Sequence, residues 1–231
     1  MLVKEWMAAK PIVIEEETSI MKATQLMKEH GIRRIPVVRN NRLVGIISDR
    51  DIKEAAPSKA TSLDVHELYY LLSEVKAKDI MTANPLTIRE NDSVEKAAVI
   101  MLDNRISGLP VVDENRHVVG LITQTDVFKV MVSITGIYRG PIQLACDIED
   151  RSGVLNKLLN TIRTHNARIV SVLTSVDHVP PGRKEAYIRI KEMPDDALDA
   201  LVSDLKKEYR VLYVNREDLS DLPKRSRPTT T

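Results

Sequence analysis

The sequence predicts an α+β protein of two unlike parts: a pair of βαββα repeats related by a pseudo-twofold, followed by a smaller βαββαβ unit. Three observations predict it. Lys4, Met7, Pro11 and Met27 recur as Lys78, Met81, Pro85 and Met101 at a constant offset of 74, and a fixed period of this kind marks a duplicated supersecondary unit. Each copy passes from a helical apolar period into two short β-branched runs. After residue 140 the pattern becomes strand, helix, two strands, helix, strand, the split βαβ order.

The duplication is close: over residues 3 to 52, 20 of 50 positions are identical to the second copy. The register runs through Pro36, Val37 and Val38 against Pro110, Val111 and Val112. It then gains one residue near Val118, after which Gly45, Ile47 and Asp51 match Gly120, Ile122 and Asp126. Each copy opens on an extended, Pro-containing segment (10–14 and 84–88). Ser19 and Ser93 stand where helix N-caps belong, Ile20, Ala23, Leu26 and Met27 fall at helical spacing, and Gly31 suits a left-handed helix end. Residues 35–38 and 43–47, joined through Asn40 and Asn41, read as a hairpin, and 109–112 with 118–122 as its counterpart. A second helix opens near Asp49 and near Thr125. So short a unit buries too little surface alone, so the copies are expected to pack together.

The expected repeats are 1–56 and 77–133. Between them, 57–76 carries Val65, Leu68, Tyr69, Leu72 and Val75 at the spacing of an inserted amphipathic linker helix. In the last third, Ile142, Leu144, Cys146 and Ile148 alternate as a half-buried strand, and Val154, Leu155, Leu158, Leu159 and Ile162 form a helical stripe. Residues 168–176 and 185–190 read as strands around a Pro-Gly loop, 198–205 as a helix and 211–214 as the last strand. That order over 141–215 is ferredoxin-like. Residues 216–231 form a polar tail that includes Lys224, Arg225 and Arg227.

Composition narrows the chemistry. The 231 residues carry 34 Lys and Arg against 33 Asp and Glu, a formal charge of +1, so no global field favours nucleic acid or an anionic membrane. Aromatics are 3%, too few for a base-stacking surface. Cys146 is the only cysteine, which excludes an internal disulfide and suits a reducing, cytoplasmic setting. No apolar run longer than 97–102 occurs, so no membrane partner is expected. The five histidines include no pair at metal-ligand spacing, and there is no nucleophile elbow, P-loop or dinucleotide fingerprint. A protein without metal, catalytic cofactor or catalytic residues is the expectation: not an enzyme.

Chemistry recurs at the turn from the second hairpin strand into the second helix, as Ser48 with Asp51 and as Thr123 with Asp126. A hydroxyl three residues before a carboxylate, beside free backbone N–H groups, suits a phosphate, and such a carboxylate can accept both hydroxyls of a ribose. The same pattern fits a capping box, in which the two groups satisfy their own helix. Arg33, Arg34 and Arg50 of the first copy align with Ser107, Gly108 and Thr125 of the second. Guanidinium groups for phosphate are therefore expected at the first end and few at the second.

The repeated helix, the Ile35-Pro36-Val37-Val38 and Leu109-Pro110-Val111-Val112 strands, and the endings Gly-Ile-Ile-Ser-Asp-Arg-Asp and Gly-Leu-Ile-Thr-Gln-Thr-Asp resemble a tandem pair of CBS domains over residues 1 to about 133. That resemblance implies two clefts for adenosine-containing ligands such as AMP, ADP, ATP or S-adenosylmethionine. Asp51 and Asp126 would hold ribose, Ser48 and Thr123 phosphate, Val37 or Val111 would flank adenine, and Val13 and Thr87 would offer backbone contacts. The segment Asp150-Arg151-Ser152-Gly153-Val154-Leu155 resembles the marker of an ACT domain, which implies an amino-acid effector at Asp150, Ser152, Gly153, Val154 and Leu155, commonly at a dimer interface. Ser152 stands where Pro is usual and Arg168 where many amino-acid-binding members have Asn. A CBS pair followed by an ACT domain is similar to the B-protein group of acetoin utilisation, a regulatory architecture. The implied protein is a homodimeric, energy-sensing allosteric regulator that acts on another protein. The alternative is a scaffold in which both modules supply only interfaces.

Overall fold

The computed structural model describes residues 1–55 and 73–223; the linker-helix reading over 57–76 falls mostly outside them, and the basic tail entirely. The chain divides into two compact units, Met1–Val130 and Met131–Thr231.

In the first unit the elements run β1 (Ala8–Ala9), β2 (Ile14–Glu15), α1 (Ile20–His30), β3 (Arg34–Arg39), β4 (Arg42–Ser48), α2 (Asp49–Ala55) and α3 (Ala77–Ile80). They continue with β5 (Thr82–Ala83), α4 (Val94–Asp103), β6 (Gly108–Val112), β7 (Val118–Thr123) and α5 (Gln124–Thr135), whose last turn passes into the second unit. Ser19 accepts from the Lys22 amide and Ser93 from the Lys96 amide, so both long helices start on a serine cap. Gly31 ends α1 at φ +62°, and Arg105 takes a similar left-handed conformation, φ +54°, after α4. Asn40 and Asn41, both at positive φ, turn β3 into β4 as a primed hairpin requires.

The two copies exchange their leading segments. β1 pairs antiparallel with β7 of the second copy, while β5 pairs antiparallel with β4 of the first. The Val3 and Lys4 amides donate to the Asp92 and Glu90 carbonyls, and the Ala77 and Lys78 amides donate to the Thr18 and Glu16 carbonyls. Each core is consequently completed from the other copy: Val3 is buried among Val94, Met101, Leu109 and Ile122, and Ala77 among Ala23, Ile35 and Ile47. Close approach at the exchange requires glycine. A Cβ on Gly45 would overlap the Met81 sulfur, and one on Gly120 the Met7 sulfur.

In the second unit, β8 (Ile142–Glu149), α6 (Val154–Thr164), β9 (Ile169–Ser175), β10 (Arg183–Ile190), α7 (Asp195–Glu208) and β11 (Arg210–Arg216) form one antiparallel sheet in the order β11-β8-β10-β9. Ile142, Leu144, Cys146 and Ile148 of β8 are buried with Leu158 and Ile162 of α6 and Leu201 and Leu205 of α7. This is the ferredoxin-like arrangement, with both helices on one face of the sheet.

Candidate functional site

Hairpin and helix meet at the same place in both copies of the first unit, and each junction opens into a cleft. The first, about 580 Å³, is lined by Ser48 to Asp51, by Thr82 of β5 and Asn84, Pro85 and Leu86 after it, and by Asn104 to Gly108. The second, about 640 Å³, is lined by Thr123 to Asp126 and Lys129, by Ala8 and Leu121, and by Gly31 to Arg34. Both volumes lie within the range of small-molecule sites, roughly 300 to 1,000 Å³. Each cleft sets apolar side chains, Ile46, Leu86 and Ile106 in one and Ile32 and Leu121 in the other, against a polar end. Such walls suit a flat, partly apolar ring joined to a charged group.

The hydroxyls and carboxylates are engaged with one another. Ser48 Oγ donates to Asp51 Oδ2 at 2.7 Å and the Ser48 amide donates to the same oxygen at 2.6 Å. Thr123 Oγ1 and the Thr123 amide donate to Asp126 Oδ2 at 2.7 and 3.0 Å. The first junction is a capping box, since the Asp51 amide donates back to Ser48 Oγ at 3.4 Å, and the second has the carboxylate half of one; each leaves its second carboxylate oxygen outside these bonds. Asp51 Oδ1 has no partner among the described residues, whereas Asp126 Oδ1 accepts from Lys129 Nζ at 2.9 Å. Asp126 is the more enclosed, 9% exposed.

The arginines are shared out differently from the reading by alignment. Arg50 lines the first cleft, Arg33 the second and Arg34 both. Expecting all three at the first end is therefore corrected for Arg33. The turn after Gly31 carries it to the Thr123 end, just as Asn104 to Gly108 reach the Ser48 end. Arg34 Nη2 donates to the Ser107 hydroxyl. Burial lowers the Arg34 pKa from the usual guanidinium value; Asp49 and Asp51 oppose this, while Arg33 and Arg50 add to it as like charges.

Of the remaining candidates, Val37 and Val111 are fully buried in the two cores and line neither cleft. Their strands face them away from the pockets because β3 and β6 must cover the long helices. Val13, 38% exposed, and Thr87, half-buried, also stand outside both linings. Residue reasoning missed Asp49, Asn84, Leu86, Arg105, Ser107 and Lys129. A signal existed for one pair only, since Lys129 stands three residues after Asp126, the spacing of a helical ion pair.

In the second unit, Asp150 is 3.0 Å from Lys184 Nζ and its amide donates to the Gly182 carbonyl. Ser152 is exposed, Gly153 opens α6 at φ +86°, and Val154 and Leu155 pack against the core. A shallow recess of about 330 Å³ takes in Val154 but none of the other four. Its charges are already paired, Arg183 with Asp147 at 2.8 Å and Lys157 with Glu208 at 2.9 Å. Cys146 is fully buried, and burial pushes its thiol up to about 11. Among the described residues no group of side chains could hold a metal ion, and no helix is long and apolar enough to cross a membrane.

Comparison with known proteins places this architecture. Residues 3–58 and 77–133 match the family model described as the CBS domain. A CBS domain-containing protein of Dictyostelium discoideum is 31% identical over 134 residues, 58% of this chain and 92% of that protein. Among solved structures, the CBS domain pair of protein MJ0100 in complex with 5′-methylthioadenosine and S-adenosyl-L-methionine is 32% identical, covering 58% of this chain and 97% of that one, with a TM-score of 0.49. A Vibrio cholerae protein assigned to acetoin utilization (AcuB) is 24% identical, covering 60% of this chain and 95% of that one, with a TM-score of 0.49. The chain spans only about a quarter of the length of the first curated relatives it matches, at 25%, 24% and 22%.

Proposed function

This chain belongs to the CBS-domain family, and from that premise we propose that it is a non-enzymatic regulatory sensor whose two clefts each take an adenosine nucleotide. The observation that carries the reading is the pair of matched clefts, each with an apolar wall, an aspartate at the polar end and arginine beside it. Asp51 Oδ1 would accept from ribose, Arg50 and Arg34 would meet phosphate in the first cleft, and Arg33 and Arg34 would meet it in the second. Ser48 and Thr123 would act through the carboxylates they fix. The second unit would serve as an ACT domain that pairs two chains, with an amino-acid effector near Gly153. Nucleotide occupancy would then favour one arrangement of the exchanged repeats over another and pass it to a partner protein. Calorimetric titration of the full chain with AMP, ADP, ATP and S-adenosylmethionine tests this. Binding tighter than millimolar by one of them is expected, with a matching rise in thermal stability; no binding by any of them overturns it.

A specific observation favours a second reading. Both carboxylates already accept from the hydroxyl and the amide three residues before them, so a scaffold with empty clefts would need no change in them. The same titration separates the two.

A further inference from the structure

Among the described residues three line both clefts: Arg34, Asp49 and Ser107. They form the partition between the pockets, and Arg34 is its only cation. Its guanidinium offers five N–H donors, of which one, Nη2 to Ser107, is engaged among the described residues. Its stem is held in place, because a Cβ added to Gly108 would come within 2.9 Å of Arg34 Cδ. Burial already works against its charge, so an anion on either side would be drawn to it.

We infer that the two clefts compete for this one guanidinium, so that a phosphate bound in either weakens phosphate binding in the other. The inference rests on the nucleotide reading above and adds a coupling to it. Among the described residues the first cleft has Arg50 and Arg105 of its own and the second Arg33 and Lys129, and Arg34 is the one cation that lines both. With one Nη2 N–H given to Ser107, only one face of the fork stays free for a bidentate contact, so a phosphate that takes it leaves none for the other side of the partition. The coupling belongs to the phosphate: an uncharged nucleoside, held by the apolar wall and the aspartate, makes no demand on Arg34.

The test compares AMP with adenosine by calorimetric titration of the full chain. Asp51→Asn and Asp126→Asn, which keep a capping acceptor, supply the intrinsic affinity of the opposite cleft. The coupling factor is the affinity of a cleft with its neighbour empty divided by that with its neighbour filled. For AMP it should be about fivefold or more, within the ordinary range of coupling between sites. For adenosine, and for AMP with Arg34→Ala, it should fall close to one. Adenosine on the unaltered chain keeps the test decisive if Arg34→Ala does not fold. A factor near one for AMP, or one as large for adenosine, overturns the inference while leaving nucleotide sensing intact. Failure of both compounds to bind instead removes the nucleotide reading on which it rests.

Discussion

Asp126 carries its second carboxylate oxygen against Lys129, whose Nζ lies 2.9 Å away, while Glu54 occupies the matching place beside Asp51. The pseudo-twofold is therefore broken where a sugar would sit. Among the described residues one aspartate offers an open acceptor, and the other must first give up a cation.

Replacing Lys129 with Ala should remove that competition. The side chain is largely exposed, so the lost ion pair costs little stability, about 1 kcal/mol or less. Adenosine, which carries no phosphate for Lys129 to attract, should bind the second cleft severalfold more tightly in Lys129→Ala and unchanged in the first. Titration in the Asp51→Asn background isolates the second cleft. Unaltered affinity there would show that Lys129 does not stand in the ligand's place.

The bonds at the two junctions give each aspartate two tasks that substitution can separate. Asp51→Ala loses both the cap and the open oxygen, and should cost about 0.5 to 2 kcal/mol of stability together with ligand affinity in the first cleft. Asp51→Asn keeps an acceptor for the Ser48 amide, so urea unfolding should show most of the stability restored while affinity remains reduced. If affinity follows stability in both variants, the carboxylate serves the helix alone.

Exchange of the leading segments makes a further prediction. A Cβ on Gly120 would lie 3.0 Å from Met7 Cγ as well as against its sulfur, so Gly120→Ala should destabilise by about 1 to 3 kcal/mol through overpacking. Met7 and Gly120 belong to different copies, and they touch only because β1 crosses to β7. A double-mutant cycle with Met7→Ala should therefore show a coupling of about 0.5 to 3 kcal/mol. Additive effects would place the N-terminal segment elsewhere.

Local physics made much of this fold legible. The serine caps, the left-handed Gly31, the paired asparagines and the alternation of Ile142, Leu144, Cys146 and Ile148 each act within a few residues, so spacing alone exposes them. The exchange did not show, because β1 and β5 are two residues long and carry no period. For the same reason alignment assigned Arg33 to the wrong end: equivalence along the chain is not proximity once segments cross the axis. The resemblance implies that Val37 or Val111 flanks adenine, while the apolar run in which each lies accounts for its complete burial. Ser107 and Asp49 gained their place only from the packing of one repeat against the other.

Acidic pH should loosen the first unit through Asp92. Its carboxylate accepts from Lys96 Nζ at 2.7 Å and from the Arg89 amide at 2.9 Å, and these bonds, the lysine first, hold its pKa below the usual carboxylate value. A group whose pKa is lowered on folding contributes stability that is full above its unfolded pKa and is lost as pH falls through the folded one. The turn it closes also carries the Asp92 and Glu90 carbonyls that receive the exchanged Val3 and Lys4 amides. Protonation therefore weakens the anchor of the N-terminal segment as well as its own helix. Urea unfolding of the unaltered chain and of Asp92→Asn, measured from pH 7 down to about 3, should give a stability difference that is constant above about pH 4.5 and shrinks below it. A difference that persists unchanged at the acid end would mean that the carboxylate's charge takes no part in holding the segment.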